Sequence, residues 1–561
     1  MKKRFRNKVF AVILSAAMAM SLAACGSGST ETTGSAAGTE AANAESVEAQ
    51  DTGAASEGAG TAEAEQTDGE PVTITVEVFD RGNMTEEYGT PTDNKWTKIF
   101  HDKVLEELNI NLEYVAIPRS EEVTKIQAMM AADSEPDIFF TYDAEQVIKW
   151  VDGEALADLT PYMEEGAGKE LKDTLGEDVC NFGVIEGKQY AINAIRYDQG
   201  QYCCFIRKDM LDQVGVELSE LNGHYAIKPS ELKDVLIKVK EAGLCDYPIG
   251  MYNLHDARMA IEGAFLTKTA PEDLTRGIGG QYYAIDEEGI KEAYRFLNEC
   301  YNAGLINPDF ALFNGDNMAE MIASGQSAFW SQCYWMWDDK RNALYEAEPD
   351  AEIVAVELTH EDGTPASYEM YAPIGAYGMV SSSCENVEAA VKLLNWFMTS
   401  EDAHLLAHHG IEGENFEYKD GVMEPIDPEY NATDRLSVGD LNILLNYDPC
   451  TSDPAIFEKN LRTSNENAGN DERVVEAHLA AQQIAISEGK FVFPAINESI
   501  QASVDYAAEL SENSDNLWIG GVTAPEGQFD EVWDNLYQVY MDEGGSQRAE
   551  ERLAAYQNSQ N

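Results

Sequence analysis

Val72, Ile74, Val76 and Val78 alternate with Thr73, Thr75 and Glu77, the period of a strand with one buried face. Trp96, Ile99, Phe100, Val104, Leu105 and Leu108 then recur at helical spacing. Residues 110–117 return to a strand pattern, 120–132 to a helix with Ser120 as its cap, and 137–142 to a third strand. Strand, helix, strand, helix, strand predicts a parallel α/β sheet, and such sheets bind ligands at the carboxyl ends of their strands. Asp80, Arg81, Tyr142 and Asp143 stand at such ends. Further along, the patterning predicts helices over 230–242, 287–303 and 387–407, and strands over 248–252, 327–331 and 372–380. Residues 505–555 read as mostly helical, and no repeat of solenoid period is present.

The first seventy residues follow another pattern. Lys2, Lys3, Arg4, Arg6 and Lys8 precede an apolar run over residues 9–20, which is shorter than the ~20 residues of a membrane-spanning helix. Leu22-Ala23-Ala24-Cys25 follows, then Gly26. The basic stretch, the short apolar run and the small residues make a signal peptide over 1–24. Leu-Ala-Ala-Cys resembles the bacterial lipobox, which implies cleavage before Cys25 and lipidation of its sulfur. Two acyl chains there would give stable anchoring. Residues 26–70 hold ten Asp or Glu and no Lys or Arg among Gly, Ser, Thr and Ala. Such a segment reads as a flexible acidic tether.

Charge narrows the function classes. The chain carries −63 in all. With +5 on residues 1–24 and −10 on the tether, residues 71–561 carry −58. A body of that sign disfavours nucleic-acid binding and, less strongly, an anionic ligand. Its 491 residues exceed what one core organises, so at least two lobes are expected. Of nine cysteines, Cys25 is assigned to lipid; the other eight form no C-x-x-C pair, and most read as thiols. No G-x-S-x-G, H-E-x-x-H, phosphate loop or twelve-residue calcium loop is present. His404 and His408 have metal-binding spacing with His409 beside them, but no third ligand is evident and a solvated helix end is the simpler reading. No metal or cofactor is expected.

Several stretches, in this order, resemble the solute-binding proteins of carbohydrate ABC importers, the family of maltose-binding protein. They are Glu135-Pro136-Asp137-Ile138-Phe139-Phe140 with residues 155–161, Gln189-Tyr190-Ala191-Ile192 with residues 205–211, and residues 325–330 leading to Trp335-Met336-Trp337. Residues 372–380 with the helix 387–407 complete the order. Gly410-Ile411-Glu412-Gly413-Glu414-Asn415-Phe416 is similar to a turn of the large lipoprotein branch found mainly in Gram-positive bacteria. The turn itself is expected to be fixed by Gly410 and Gly413 rather than to touch ligand. Residues 198–203 and the long stretch 410–490 depart from maltose-binding protein, so the solute is not carried over.

The resemblance implies an α/β, two-lobed, periplasmic-binding-protein-like (class II) fold with crossover hinge strands near 195–205 and 370–380 and a helical C-terminal region. The expected division is lobe I over 71–197 and 372–485, lobe II over 198–371, and a C-terminal helical part of lobe II over 486–561. It also implies a ligand between the lobes, with Trp335 stacking on a sugar, Trp337 beside it, and Asp80 and Arg81 as polar contacts. One tryptophan of the pair is expected to face the cleft and the other the core. Asp256 takes the acidic position of a second-lobe loop, and Arg258 replaces an aromatic there, implying a guanidinium fork instead. Tyr142, Asp143, Tyr197 and Asp198 follow by position. The expected function is capture of an extracellular solute, an oligosaccharide by preference and a neutral one, for an ABC permease. The protein is expected to be a monomer on the outer face of the cell membrane and not an enzyme. The alternatives are a secreted carbohydrate-active hydrolase and a surface adhesin or structural lipoprotein.

Overall fold

The alternating segment becomes the strand Val72–Asp80, with Ile74, Val76 and Val78 buried. It pairs in parallel with Ile110–Pro118 along its whole length. A single register pair, Val76 with Ile138, joins it to Ile138–Thr141. Asp137 reinforces that join, because its Oδ2 accepts from both the N–H and the hydroxyl of Thr75 at 2.8 Å. Between the first two strands runs the helix Lys95–Leu108, started by Asn94, whose side chain accepts from the N–H groups of Trp96 and Thr97. Ser120 does not cap the next helix. A 3₁₀ turn over Arg119–Glu121 intervenes, and the helix Glu122–Met130 has no side-chain cap. The computed structural model describes residues 69–559, apart from 86, 197–198, 276, 279–286, 420–421, 437, 446–453, 493–495 and 497.

Two five-stranded sheets organise the described residues. The first runs in the order Ile110–Pro118, Val72–Asp80, Ile138–Thr141, Ile374–Val380, Ala191–Ile195. The second runs Phe329–Cys333, Tyr202–Arg207, Ile353–Leu358, His224–Ile227, Ser219–Leu221. Each sheet has its own core. Phe100, Phe139, Ile192, Met379 and Leu394 lie in one; Phe205, Leu236, Trp330, Val356 and Trp518 lie in the other. The molecule is therefore a two-lobed α/β protein of the class II type. Among the described residues, no helix is long and apolar enough to cross a membrane.

The chain leaves the first sheet after Ile195, enters the second at Tyr202, and returns at Ile374. The outgoing and returning segments are bonded to each other. Arg196 N–H donates to the Pro373 carbonyl at 3.0 Å and Tyr371 N–H to the Gln199 carbonyl at 2.9 Å. A short pair, Glu369–Met370 with Phe491–Val492, adds a further strand to this crossing.

Three expectations are corrected here. The helix expected over 387–407 is two, Val387–Thr399 and Glu401–His408; Ser400 is extended at ψ 128° and caps the second by accepting from Ala403 N–H. The strand expected over 248–252 is reduced to isolated bridges from Ile249 to Ile306 and Phe329. The division that gave residues 372–485 to the first lobe also changes. The helix Glu472–Ala485 buries Val474, Ala477, Ala481 and Ile484 in the second core, packing on strands Tyr202–Arg207 and Ile353–Leu358. By contrast Gly410 and Gly413 take φ of 85° and 81°, and a Cβ on Gly410 would meet the Asn415 side chain at 2.5 Å.

Glu77 is an acid inside the first core, 1% exposed, with Oε2 accepting from Phe140 N–H at 2.7 Å. Burial, opposed by that hydrogen bond, pushes its carboxyl up to about 8. A folded value above the unfolded one means stability is fully present below the unfolded value and falls as pH rises through about 8. Glu77→Gln keeps the bond to Phe140. It is expected to remove this loss, gaining on the order of 3 kcal/mol over wild type by alkaline pH and little near pH 4. Urea titrations of both proteins at several pH values check this; a pH-independent difference would be the contrary result.

Candidate functional site

A cavity of about 640 Å³ lies between the lobes, against the crossing segments. Its first-lobe wall comes from the strand ends. Arg119 follows Pro118, Tyr142 follows Thr141 and Arg196 follows Ile195, and all three line it. Its second-lobe wall carries Tyr202 and His255, whose Nε2 lies 3.0 Å from the Tyr202 hydroxyl. Burial lowers the His255 imidazole, which favours the neutral form. The return segment contributes Glu369, Tyr371, Ile374 and Tyr377, and the last helix, Ser546–Ser559, contributes Arg552. A neighbouring hollow of about 870 Å³ shares Ile148, Phe182, Ile185 and Glu498 with it and continues toward Tyr556 and Asn558.

Trp335 is not among these lining residues but adjoins one of them, Tyr371. It is 40% exposed, stacks on Tyr371 at 6.2 Å and 24°, and meets Tyr334 edge-on at 5.0 Å. Tyr371 in turn holds the Arg196 guanidinium 4.0 Å from its ring centre. The result is an aromatic platform with an open face, the surface that the apolar face of a sugar ring needs.

The other expected contacts divide. Tyr142 lines the cavity, as expected for a strand-end residue. Asp256 adjoins His255, but Tyr252 donates its hydroxyl to Asp256 Oδ2 at 3.0 Å. Asp80 accepts from Gly82 N–H in an exposed turn. Arg81 makes a bidentate pair with Asp440, both contacts at 2.7 Å, and that hydrogen-bonded pairing raises the guanidinium further. Asp143 caps the helix Ala144–Asp152 by accepting from Gln146 N–H. Arg258 turns into the second lobe, bonded to Glu262 at 2.9 Å and 4.7 Å from the Trp518 ring centre, so no fork faces the cleft. Trp337 packs on the second core beside Tyr252, because its backbone is left-handed at φ 65° and strand alternation has ended at Cys333. Tyr197 and Asp198 lie outside the described residues, as does Cys25.

Arg119, Arg196, His255, Glu369, Tyr371 and Arg552 were not singled out by the sequence. The strand-end rule that selected Tyr142 would have found Arg119 and Arg196. Nothing local marks Arg552, which reaches the cavity from the last helix. Among the described residues, no group of three His, Cys, Asp or Glu side chains is arranged to hold a metal ion.

Two lobes around a cavity, with aromatic faces and hydrogen-bonding side chains converging on it, define a binding protein for small solutes. The chain belongs to the bacterial extracellular solute-binding protein family, whose model matches residues 88–404, more than half of the chain. It is 24% identical over 330 residues to Lipoprotein LipO of Bacillus subtilis, which takes in 55% of this chain and 62% of that one. The match thus spans about three-fifths of the relative's length. An extracellular solute-binding protein from Bifidobacterium longum subsp. infantis has the same fold, with a TM-score of 0.63 at 15% identity, covering 89% of this chain and all of that one. So does the N-glycan transport solute-binding protein of Streptococcus pneumoniae, with a TM-score of 0.55 at 16% identity over 87% of this chain and all of that one.

Proposed function

We propose that this protein is the solute-capturing lipoprotein of an ABC importer and that it holds an oligosaccharide between its lobes. The observation that carries the reading is Trp335, a large aromatic left 40% exposed and stacked on Tyr371, which lines the interlobe cavity. A buried tryptophan would be packing alone; an exposed one backed by a second ring is a stacking surface. The lipobox-like segment ending at Cys25 supports anchoring at the outer face of the cell membrane, and the name of the B. subtilis relative agrees. The similar S. pneumoniae protein is an N-glycan transport solute-binding protein, which favours a saccharide over a peptide. Closure of the lobes about the segments 196–201 and 369–373 would bury the solute, and a monomer in the closed form would be presented to the permease.

Differential scanning fluorimetry against oligosaccharide and peptide panels tests this. A saccharide at ~100 times its Kd is expected to stabilise the native state by about 2.7 kcal/mol and raise Tm, with the sugar recovered unchanged. Hydrolysis that survives purification, or stabilisation by peptides alone, would sink the reading. Fractionation of cells carrying Cys25→Ser tests the anchor: the protein should leave the membrane fraction.

A further inference from the structure

The first-lobe wall of the cavity is richer in positive charge than a body carrying −58 leads one to expect. Arg81, Arg119 and Arg196 all stand close enough to act on the Tyr142 hydroxyl. Two of them are matched by carboxylates: Arg81 by Asp440 and Arg119 by Glu122. Arg196 is not. Its Nε donates to the Ile374 carbonyl at 3.3 Å and its guanidinium lies over the Tyr371 ring, and among the described residues no carboxylate comes within ion-pair distance.

The acids lining the same cavity are Glu145, Glu369 and Glu498. Glu145 and Glu369 lie toward Arg552 rather than Arg196, and Glu498 is bonded to Asn558 beyond it. Burial raises both of the first two, Glu369 to about 8, so near neutral pH Glu369 is mainly an uncharged carboxyl. They do not cancel the charge of Arg196.

We infer that the solute is an anionic saccharide: Arg196 pairs with a negatively charged group on a sugar unit held in this cavity. A guanidinium held 4.0 Å from an aromatic ring centre, with its Nε donating to a carbonyl, leaves its terminal N–H groups as a fork that suits a carboxylate or a sulfate. The alternative, an unmatched cation in a cleft that binds only neutral sugar, would forfeit this charge-assisted bond. The inference rests on the saccharide reading above and assigns its chemical class.

Titration calorimetry of the purified protein separates the possibilities. The probes are short galacturonan and glucuronan fragments, their carboxyl-reduced neutral counterparts, and sulfated galactan fragments. Uronate fragments are expected to bind about tenfold to a hundredfold more tightly than their reduced counterparts, with affinity falling as salt rises. Arg196→Gln should abolish that preference, bringing the uronate fragments to the same affinity as their reduced counterparts, and Arg196→Lys should restore part of it. Thermal melts of both variants confirm folding. Binding of the sulfated fragments alone, lost in Arg196→Gln, would assign the anion as sulfate. Neutral fragments binding as well as charged ones, or a preference that survives Arg196→Gln, overturns the inference and leaves the saccharide reading standing. If no saccharide of either kind binds, both fall.

Discussion

With Trp335 replaced by alanine, the protein is expected to bind its solute about thirtyfold more weakly, a loss of about 2 kcal/mol, while the unliganded protein melts nearly unchanged. The two halves of that expectation have one cause. At 40% exposure, Trp335 contributes little apolar burial to the empty protein, and among the described residues its rings meet only Tyr334 and Tyr371 as aromatic neighbours. Losing those ring contacts costs roughly 1 kcal/mol in total. In the complex the same indole would be covered, and the area removed from water on binding would be largely its own. Trp335→Phe should recover part of the affinity, since a smaller ring keeps a face. Calorimetric Kd and the apo Tm, measured on the same preparations, decide it. Unchanged affinity would remove Trp335 from the site. A large fall in apo Tm would make it a packing residue.

The contrast with Trp337 shows what a sequence can and cannot say about such a site. The pair Trp335 and Trp337 was legible as chemistry, but which one packs on the core depends on where the strand stops. It stops at Cys333, and the left-handed turn at Trp337 swings that ring onto Tyr252. The sheets themselves were readable because a period of two or 3.6 is a local property: the strands at 72–80 and 110–118 and the helix at 95–108 fall where the pattern puts them. Residues 248–252 had the pattern and failed for a reason outside it. The Pro248 carbonyl accepts from both Ala328 and Phe329, and only Ile249 forms bridges. Arg258 illustrates a third limit. Its partners, Glu262 and Trp518, decide its direction, and one of them is 260 positions away. Net charge has a similar limit. It sums over the whole surface and does not fix the sign of one cleft, where a single guanidinium such as Arg196 acts over a few ångströms.

Lys490→Met is expected to be the most destabilising of the substitutions considered, at about 3 kcal/mol or more. Lys490 is fully buried; its Nζ donates to Glu357 Oε1 at 2.6 Å and to the Ala366 carbonyl at 3.0 Å, over the ring of Tyr368. Glu357 is 1% exposed, and its other oxygen lies 2.6 Å from His224 Nε2. Burial alone would raise this carboxyl, but the His224 hydrogen bond and the Lys490 charge outweigh it and hold it ionised below its ordinary range. The contribution is therefore present above the unfolded pKa and fades as pH falls through the folded one. Methionine fills the space of the lysine stem and leaves that carboxylate without its cation, which costs more than the pair itself is worth. The double variant Lys490→Met with Glu357→Gln removes both charges and should recover at least half of the loss. Urea denaturation of the three proteins separates the terms: equal losses in the single and double variants would make packing, not charge, the cause. The site should feel the change as well. Lys490 leads directly into Phe491–Val492, the strand that pairs with Glu369–Met370 and so fixes the run entering Tyr371. If that chain of contacts holds the platform in place, Lys490→Met weakens solute binding without touching the solute, and the double variant recovers affinity along with stability. Recovery of stability with affinity still lost would mean that the lysine positions Tyr371 by its own bond to the Ala366 carbonyl rather than through the buried pair.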